Sequence, residues 1–561
     1  MLLNSINGFD RNKYSGNMQN HSVLEKEGKI FSQKKRAQSQ REGIRIMVGK
    51  DVLDRCSELN FQSDWDTLYN ACPWATVFQS RPFVSNWYLI YQKEFIPIIV
   101  YEKAFNKITG LLTLAIDKNG LITGAGANQA EYNLWLASNT NNKDFIKSAL
   151  HVVIKNFPHN SIEFKYIGNK VLLDWINDPF WNKRCFVKRS QHPFVVIEKA
   201  HFENKLRKSN RRNKINRLKK IGNIEFDRIT THGQFSEVID ELAMQADFRK
   251  GAMFNKFYFR DDPLKKRFLK VLFENNLLHV TVLKIDDKII ASNIGTVGKD
   301  GLTMHSGINS HLPFFSKYSP GILHFLLLGR SLADEHVQIL DLGPGENSYK
   351  KEITSNVAPL YVLCVNSVYK TFSNKIKYAF ISYAKRIAQK MSVKPTDLLK
   401  IKSDFRLVAG KLNNIIGSGL PSILINLQNR IVQNRKIKKF VAATYVSEAF
   451  PTNSINIKKD SLYDLLNFKN IGGTTLTEWE FLSNAMQRFE NEEHSFTWAE
   501  NNLLYGCVWT DGKKNIPGET NNSLTNFNSV VALRSLYLHP AALHKLEDFL
   551  NAVKAAMSCL K

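Results

Sequence analysis

Asp341, Glu346, Tyr349 and Lys350 fall within ten residues, where a short buried-strand pattern over 337–342 gives way to a glycine-rich turn. Two carboxylates, a phenol and an amine that emerge together at a strand's carboxyl end could move protons and steady a developing negative charge. In open α/β sheets that end is where ligands bind. Asp341 or Glu346 would be the base, because desolvation at such a position raises a carboxylate pKa. His305 competes for the role: it sits mid-strand in the 302–309 pattern and titrates near neutrality, although a half-buried structural histidine would read the same way. Tyr349 could protonate a leaving thiolate. Lys350 could stabilise an oxyanion or hold an acidic sugar, and an Asp341–Lys350 ion pair would be the structural alternative.

The elements upstream offer a place for an anion. The strand pattern over 302–309 runs into a loop that ends at Ser319-Pro320-Gly321, and a strongly apolar helix follows to about Ala333. Ser319 suits an N-cap, Pro320 suits the first helical position, and Gly321 lets a ligand approach the backbone. The backbone of Ser319, Pro320, Gly321, Ile322 and Leu323 would then form a phosphate cradle, with Lys317 beside it as a charge partner. An ordinary strand-to-helix connection would carry the same residues.

Taken in order, these pieces resemble the CelD/BcsL type of acetyltransferase in the GNAT superfamily, whose signature is a Pro-Gly helix start, an Asp-x-x-x-Gly turn and a Tyr-Lys pair. The basic run Leu206–Gly222 resembles the helix that opens the family's second half. Trp65-x-x-Leu68 with Phe78-Gln79 and Trp87 resembles its N-terminal opening. Gly126 with Glu131-Tyr132 resembles its central Gly…Asp-Tyr, with Glu in place of Asp. The resemblance covers roughly residues 55–370. It implies an acyltransferase using acetyl-CoA or a related acyl-CoA as co-substrate, with no metal, and a saccharide or an envelope or exopolysaccharide precursor as acceptor. The usual GNAT loop is Arg/Gln-x-x-Gly-x-Gly/Ala, and Lys317-Tyr-Ser-Pro-Gly-Ile has fewer glycines to admit a phosphate.

The supporting elements repeat. Strand patterns at 98–101, 108–116 and 121–123 precede a helix over 143–156 and a strand over 161–167. Patterns at 278–285, 289–297 and 302–309 precede the helix over 320–334 and the strand over 337–342. With the resemblance, this order implies an α/β (α+β) fold of tandem GNAT-like acyl-CoA N-acyltransferase units with mixed central sheets. Residues 48–195 form the first half and 196–366 the catalytic half. Residues 1–47, without periodicity, read as a disordered basic tail, and Met47 is a candidate start. Residues 367–439 read as a basic helical linker, and 440–561 as a C-terminal α/β, degenerate GNAT-like module.

The 561 residues carry a net charge of +26, unevenly placed: +6 over 1–50, +8 over 201–220 and +14 over 370–439, which leaves the rest near neutral. Such segments suit an anionic membrane or a polyanion. Val368, Phe372, Ile376, Phe380, Tyr383 and Ile387 recur at helical spacing beside lysines, as in an interfacial helix or one packed on the body. No apolar run approaches a membrane span, and six scattered cysteines without CxxC suit buried thiols in a reducing compartment. The expected location is cytoplasmic, peripheral at the inner membrane. Two other functions fit the charge. One is a FemAB-like aminoacyl transferase whose 203–221 helix grips the phosphates of a charged tRNA. The other is an inactive scaffold that binds membrane or nucleic acid.

Overall fold

The computed structural model describes residues 41–138, 142–345, 348–390, 455–470, 476–510 and 533–558. Aliphatic and β-branched runs such as Ile98–Leu114 and Leu278–Ile294 are buried on both faces of their strands, so they form the interior of a sheet covered by helices on either side. In the first half the order is β1 (Arg41–Val48), α1 (Lys50–Ser57), α2 (Leu59–Ala71), α3 (Arg81–Tyr91), β2 (Phe95–Ala104), β3 (Lys107–Asp117), β4 (Leu121–Gly124), β5 (Leu136–Ala137), α4 (Asn142–Asn156), β6 (Ser161–Gly168) and β7 (Cys185–Val196). In the second half it is α5 (Lys199–Arg207), α6 (Ser209–Lys219), β8 (Ile224–Ile229), α7 (His232–Phe254), α8 (Lys265–Glu274), β9 (Leu278–Ile285), β10 (Lys288–Val297), β11 (Thr303–His311), α9 (Pro320–Asp334), β12 (Ile339–Asp341), α10 (Ser348–Ile353), β13 (Asn356–Val365) and α11 (Val368–Lys390).

One mixed sheet runs through both halves in the order β1-β2-β3-β4-β6-β13-β7-β12-β11-β10-β9-β8, with β5 beside β3. Only β4 with β6 and β11 with β12 pair in parallel. Each parallel pair needs a crossover, supplied by α4 in the first half and α9 in the second. This is the expected mixed α/β architecture with a repeated order of strands and crossover helix, and the repeat is fused more tightly than two packed bodies would be. Strand β13, the last of the second half, inserts antiparallel between β6 and β7 and closes the gap between the halves. Strands β7 and β13, absent from the sequence-based expectation, make the sheet continuous.

Two expectations need correction. The tail expected to be disordered through residue 47 is a strand from Arg41, because Arg45, Ile46 and Met47 pair with Tyr101, Val100 and Ile99 of β2. The single basic helix expected over 203–221 is broken at Lys208, whose extended backbone separates α5 from α6.

The C-terminal unit has its own sheet, β14 (Lys458–Lys459), β15 (His494–Glu500), β16 (Leu503–Thr510) and β17 (Leu533–Leu538), with α12 (Glu478–Glu490) between β14 and β15 and α13 (Leu546–Ser558) after β17. It is not a separate body. Leu482, Ala485 and Phe489 of α12 share one apolar cluster with Phe248 and Ala252 of α7 and Leu323 of α9. The Trp479 indole N–H donates to the Ala252 carbonyl at 3.0 Å, and the Phe314 and Phe489 rings lie 4.3 Å apart. Most of the expected linker, from 391 to 439, lies outside the described residues.

Candidate active site

Asp341 ends β12 and is buried. The parallel register sets it opposite His305 of β11, and the antiparallel register sets it opposite Phe194 of β7, which brings His192 to the same face two residues away. Both carboxylate oxygens are fully engaged. Oδ1 accepts from His192 Nε2 at 2.7 Å and from the Gly343 amide at 2.7 Å; Oδ2 accepts from His305 Nδ1 at 2.8 Å and from the Tyr132 hydroxyl at 2.5 Å. Burial alone would raise this carboxyl, but the two histidines outweigh it and hold Asp341 well below the usual carboxylate range. In turn, burial works to lower His305 and the Asp341 hydrogen bond and charge prevail, so its pKa is raised. Asp341 is thus a permanent anion that orients two imidazoles, and it is a poor base.

The first half supplies a second carboxyl beside this array. Glu131, half-buried, has no hydrogen bond among the described residues. Burial first, and the neighbouring Asp341 charge second, push it up to about 7. A carboxyl poised near neutrality beside an oriented His–Asp–His array suits proton transfer. The Glu131-Tyr132 segment is held by the aromatic motif of the N-terminal opening. The Trp65 indole N–H donates to the Gln79 carbonyl at 3.1 Å, the Gln79 amide donates to the Tyr132 carbonyl at 2.8 Å, and the Trp87 indole N–H donates to Gln129 at 3.2 Å. Phe78 packs on both Tyr132 and His305.

The turn after Asp341 requires glycine. Gly343 has φ +73, and a Cβ there would overlap a Glu131 carboxylate oxygen. The buried Lys350 ammonium donates to the carbonyls of Gly343 and Pro344, each at 2.9 Å. It therefore clamps this turn and forms no ion pair with Asp341, and burial lowers its pKa. Glu346 and the Tyr349 side chain lie outside the described residues.

At the start of α9 the cradle differs from the expected one. The residue before a proline is disfavoured in the right-handed helical region, and Ser319 adopts φ +55, ψ +53. Its hydroxyl caps no helix amide and accepts from Lys214 Nζ of α6 at 2.7 Å. The amides of Ile322 and Leu323 both donate to the Ser319 carbonyl at 3.1 Å, that of Ser319 donates to Ser316, and Pro320 has none. Lys317 pairs instead with Glu492 of the C-terminal unit at 3.0 Å. Lys214, not Lys317, is the cation over the helix start. A cavity of about 270 Å³ opens here, lined by Arg249, Asn309, His311, Ser319, Gly321 and Glu490 among others. The ideal Cβ of Gly321 would point at the His311 ring, 3.4 Å from Nδ1, so any longer side chain enters this space.

Strand β11 connects the two places. A bulge between Ile294 and Thr296 of β10 faces Gly307 at φ +49 and interrupts the ladder just beyond His305, where β12 stops and β11 continues. Six residues, roughly 20 Å, separate His305 from His311. An anion at Gly321 and a reacting carbon near Asp341 would therefore be joined by a long extended arm.

Residues 204–351 match the family model described as an acetyltransferase (GNAT) domain. The second half is an acyltransferase domain of GNAT type. Acyl-CoA use follows from that type. Among solved structures, FemX is 10% identical over 54% of this chain and 95% of its own, with a TM-score of 0.38. A tandem GNAT protein from the clavulanic acid biosynthesis pathway is 8% identical over 57% and 98%, with a TM-score of 0.32. The C-terminal domain of a putative lysylphosphatidylglycerol synthetase from Agrobacterium fabrum is 14% identical over 48% and 84%, with a TM-score of 0.34. No curated protein matches the chain in sequence.

The GNAT match ends at residue 351 and begins at 204, so it contains Asp341, His305 and Lys214 but leaves out Glu131, Tyr132 and His192. Glu131 was visible in the sequence only as a Glu in place of Asp before a tyrosine. His192 carried no signal, since its strand was not recognised. Lys214 was one cation among nine over 201–220.

Proposed function

We propose that the chain transfers an acyl group, acetyl in the simplest case, from CoA to an amine or hydroxyl of a saccharide or of an envelope or exopolysaccharide precursor. The observation that carries the transfer chemistry is the Glu131 carboxyl beside the Asp341–His305 pair, at the point where β11 and β12 part. Glu131 takes the proton from the acceptor nitrogen or oxygen as its lone pair attacks the thioester carbonyl. The C–S bond then breaks, and the thiolate leaves with the electron pair. Lys214 and Gly321 at the α9 start are the residues for the CoA phosphates. The saccharide class rests on the resemblance to the CelD/BcsL type. Calorimetry with acetyl-CoA, followed by release of free CoA on adding amino sugars, tests the reading. Binding abolished by Gly321→Glu supports it, and wild-type protein with no affinity for acetyl-CoA overturns it.

A second reading, an aminoacyl transferase using charged tRNA, is favoured by one observation: Arg207, Lys208, Arg212, Arg217, Lys219 and Lys220 stay exposed along α5, α6 and the turn that follows. RNA binding with a steep inverse dependence on salt, together with no affinity for acetyl-CoA, would select it.

A further inference from the structure

Helix α11 packs on the body by one side only. The Thr371 hydroxyl donates to the Arg184 carbonyl at 2.8 Å, Lys375 Nζ donates to the Asn182 carbonyl at 2.9 Å, and the Tyr378 ring meets Phe186. At about 100° per residue these three lie on one face, and Tyr369, Phe372, Ile376, Phe380 and Tyr383 lie within roughly 80° of one another on the opposite face. All five are exposed, by between 53 and 84%. An unbroken apolar stripe of this kind on a soluble surface marks an interaction site.

Charge decides what covers it. Residues 368–390 hold six Lys or Arg and no Asp or Glu, and 391–439 add ten cations against Asp397 and Asp404. A second copy of this helix, or the chain that follows, would bring like charge against like. Aromatic rings flanked by lysines match the headgroup boundary of a bilayer, where rings sit at the interface and lysines reach the phosphates. No described helix is long and apolar enough to cross a membrane, so contact is by lying on the surface. We infer that α11 docks the protein, stripe down, on an anionic membrane surface. Phe186, which meets Tyr378, and His192 are six residues apart along β7, roughly 20 Å, so the docked helix leaves the Asp341 array clear of the lipid.

The test is sedimentation of the full chain with phosphatidylcholine vesicles and with equimolar phosphatidylcholine–phosphatidylglycerol vesicles. The comparison variant is Phe372→Ser/Ile376→Ser/Phe380→Ser, whose exposed positions leave the fold intact as judged by its melting curve. Wild type should pellet with the anionic vesicles only, and high salt should weaken the binding. The triple variant should bind about a hundredfold more weakly with unchanged acyl transfer to a soluble acceptor. Equal pelleting with neutral vesicles overturns the inference, as does undiminished binding by the variant. It is equally overturned by no pelleting at low salt, whether the stripe proves to hold a dimer or a single-stranded RNA instead.

Discussion

Glu131→Gln separates function from stability at a single atom pair. In the folded chain this carboxyl is moved from its ordinary value of 4.5 to about 7 by burial and by the Asp341 anion. A displacement of that size corresponds to roughly 3 kcal/mol of differential interaction between the two protonation states. The folded pKa lies above the unfolded one. Glu131's contribution is therefore fully present below about pH 4.5 and is lost as the pH rises through about 7. Near pH 8 the wild type holds an ionised carboxylate that folding disfavours, and Gln removes that penalty while keeping the volume. The gain has roughly 3 kcal/mol as its upper bound, because the Gln amide still needs hydrogen bonds.

Thermal melts should show Glu131→Gln raised by roughly 5 °C at pH 8 and nearly unchanged at pH 4.5. The same variant should lose about a hundredfold or more in kcat. In the wild type, kcat should rise with pH through a limb near 7, and the variant should lack that limb. A variant less stable at pH 8, or one that keeps the limb, would refute the assignment of Glu131 as the base and return the role to His305.

Asp341→Asn should lower the His305 pKa, observable by proton NMR titration. It should cut turnover without affecting acetyl-CoA affinity, since Asp341 orients imidazoles far from the helix start. The pairing stability of His305 is present below about pH 6.5 and lost as pH rises through its raised value, and Asn should flatten that dependence. Lys214→Ala should weaken acetyl-CoA binding about tenfold by calorimetry, whereas Lys317→Ala should leave it unchanged, because Lys317 is held by Glu492. Glu490→Gln should tighten the same binding by removing an anion from the cavity wall. Phe489→Ala should cost roughly 3–5 kcal/mol and should shift the melting of the second half together with that of the C-terminal unit, because the two share one core.

The interior strands and crossover helices were legible because their signal is local. Leu278–Ile285 and Pro320–Asp334 are read from hydrophobic runs, a proline at a helix start and spacing alone. The strands that join the halves were not. Strand β7 reads Cys185-Phe-Val-Lys-Arg-Ser-Gln-His-Pro, with charged and polar residues through its centre, and β13 contains Pro359. Each becomes a strand because the other pairs with it along its full length, from Val365 opposite Cys185 to Asn356 opposite Phe194, which is a long-range fact that no local pattern carries.

The site failed to read for the same reason. Asp341 stands out as a strand-end residue and His305 as a mid-strand one, but their roles depend on partners far away in sequence, with Tyr132 lying 209 residues from Asp341. A carboxylate at a strand end is a candidate base when it is desolvated and alone. Asp341 is desolvated and fully paired, which reverses the sign of its pKa displacement. The carboxyl left without a hydrogen bond among the described residues is Glu131, and it comes from the half without the helix start. The first half therefore takes part in the chemistry proposed above. In the proposed transfer it brings the proton acceptor, the second half brings the helix start and the oriented histidine, and β13 pairs with strands of both. Separating the halves would leave neither with a complete set of groups for the transfer.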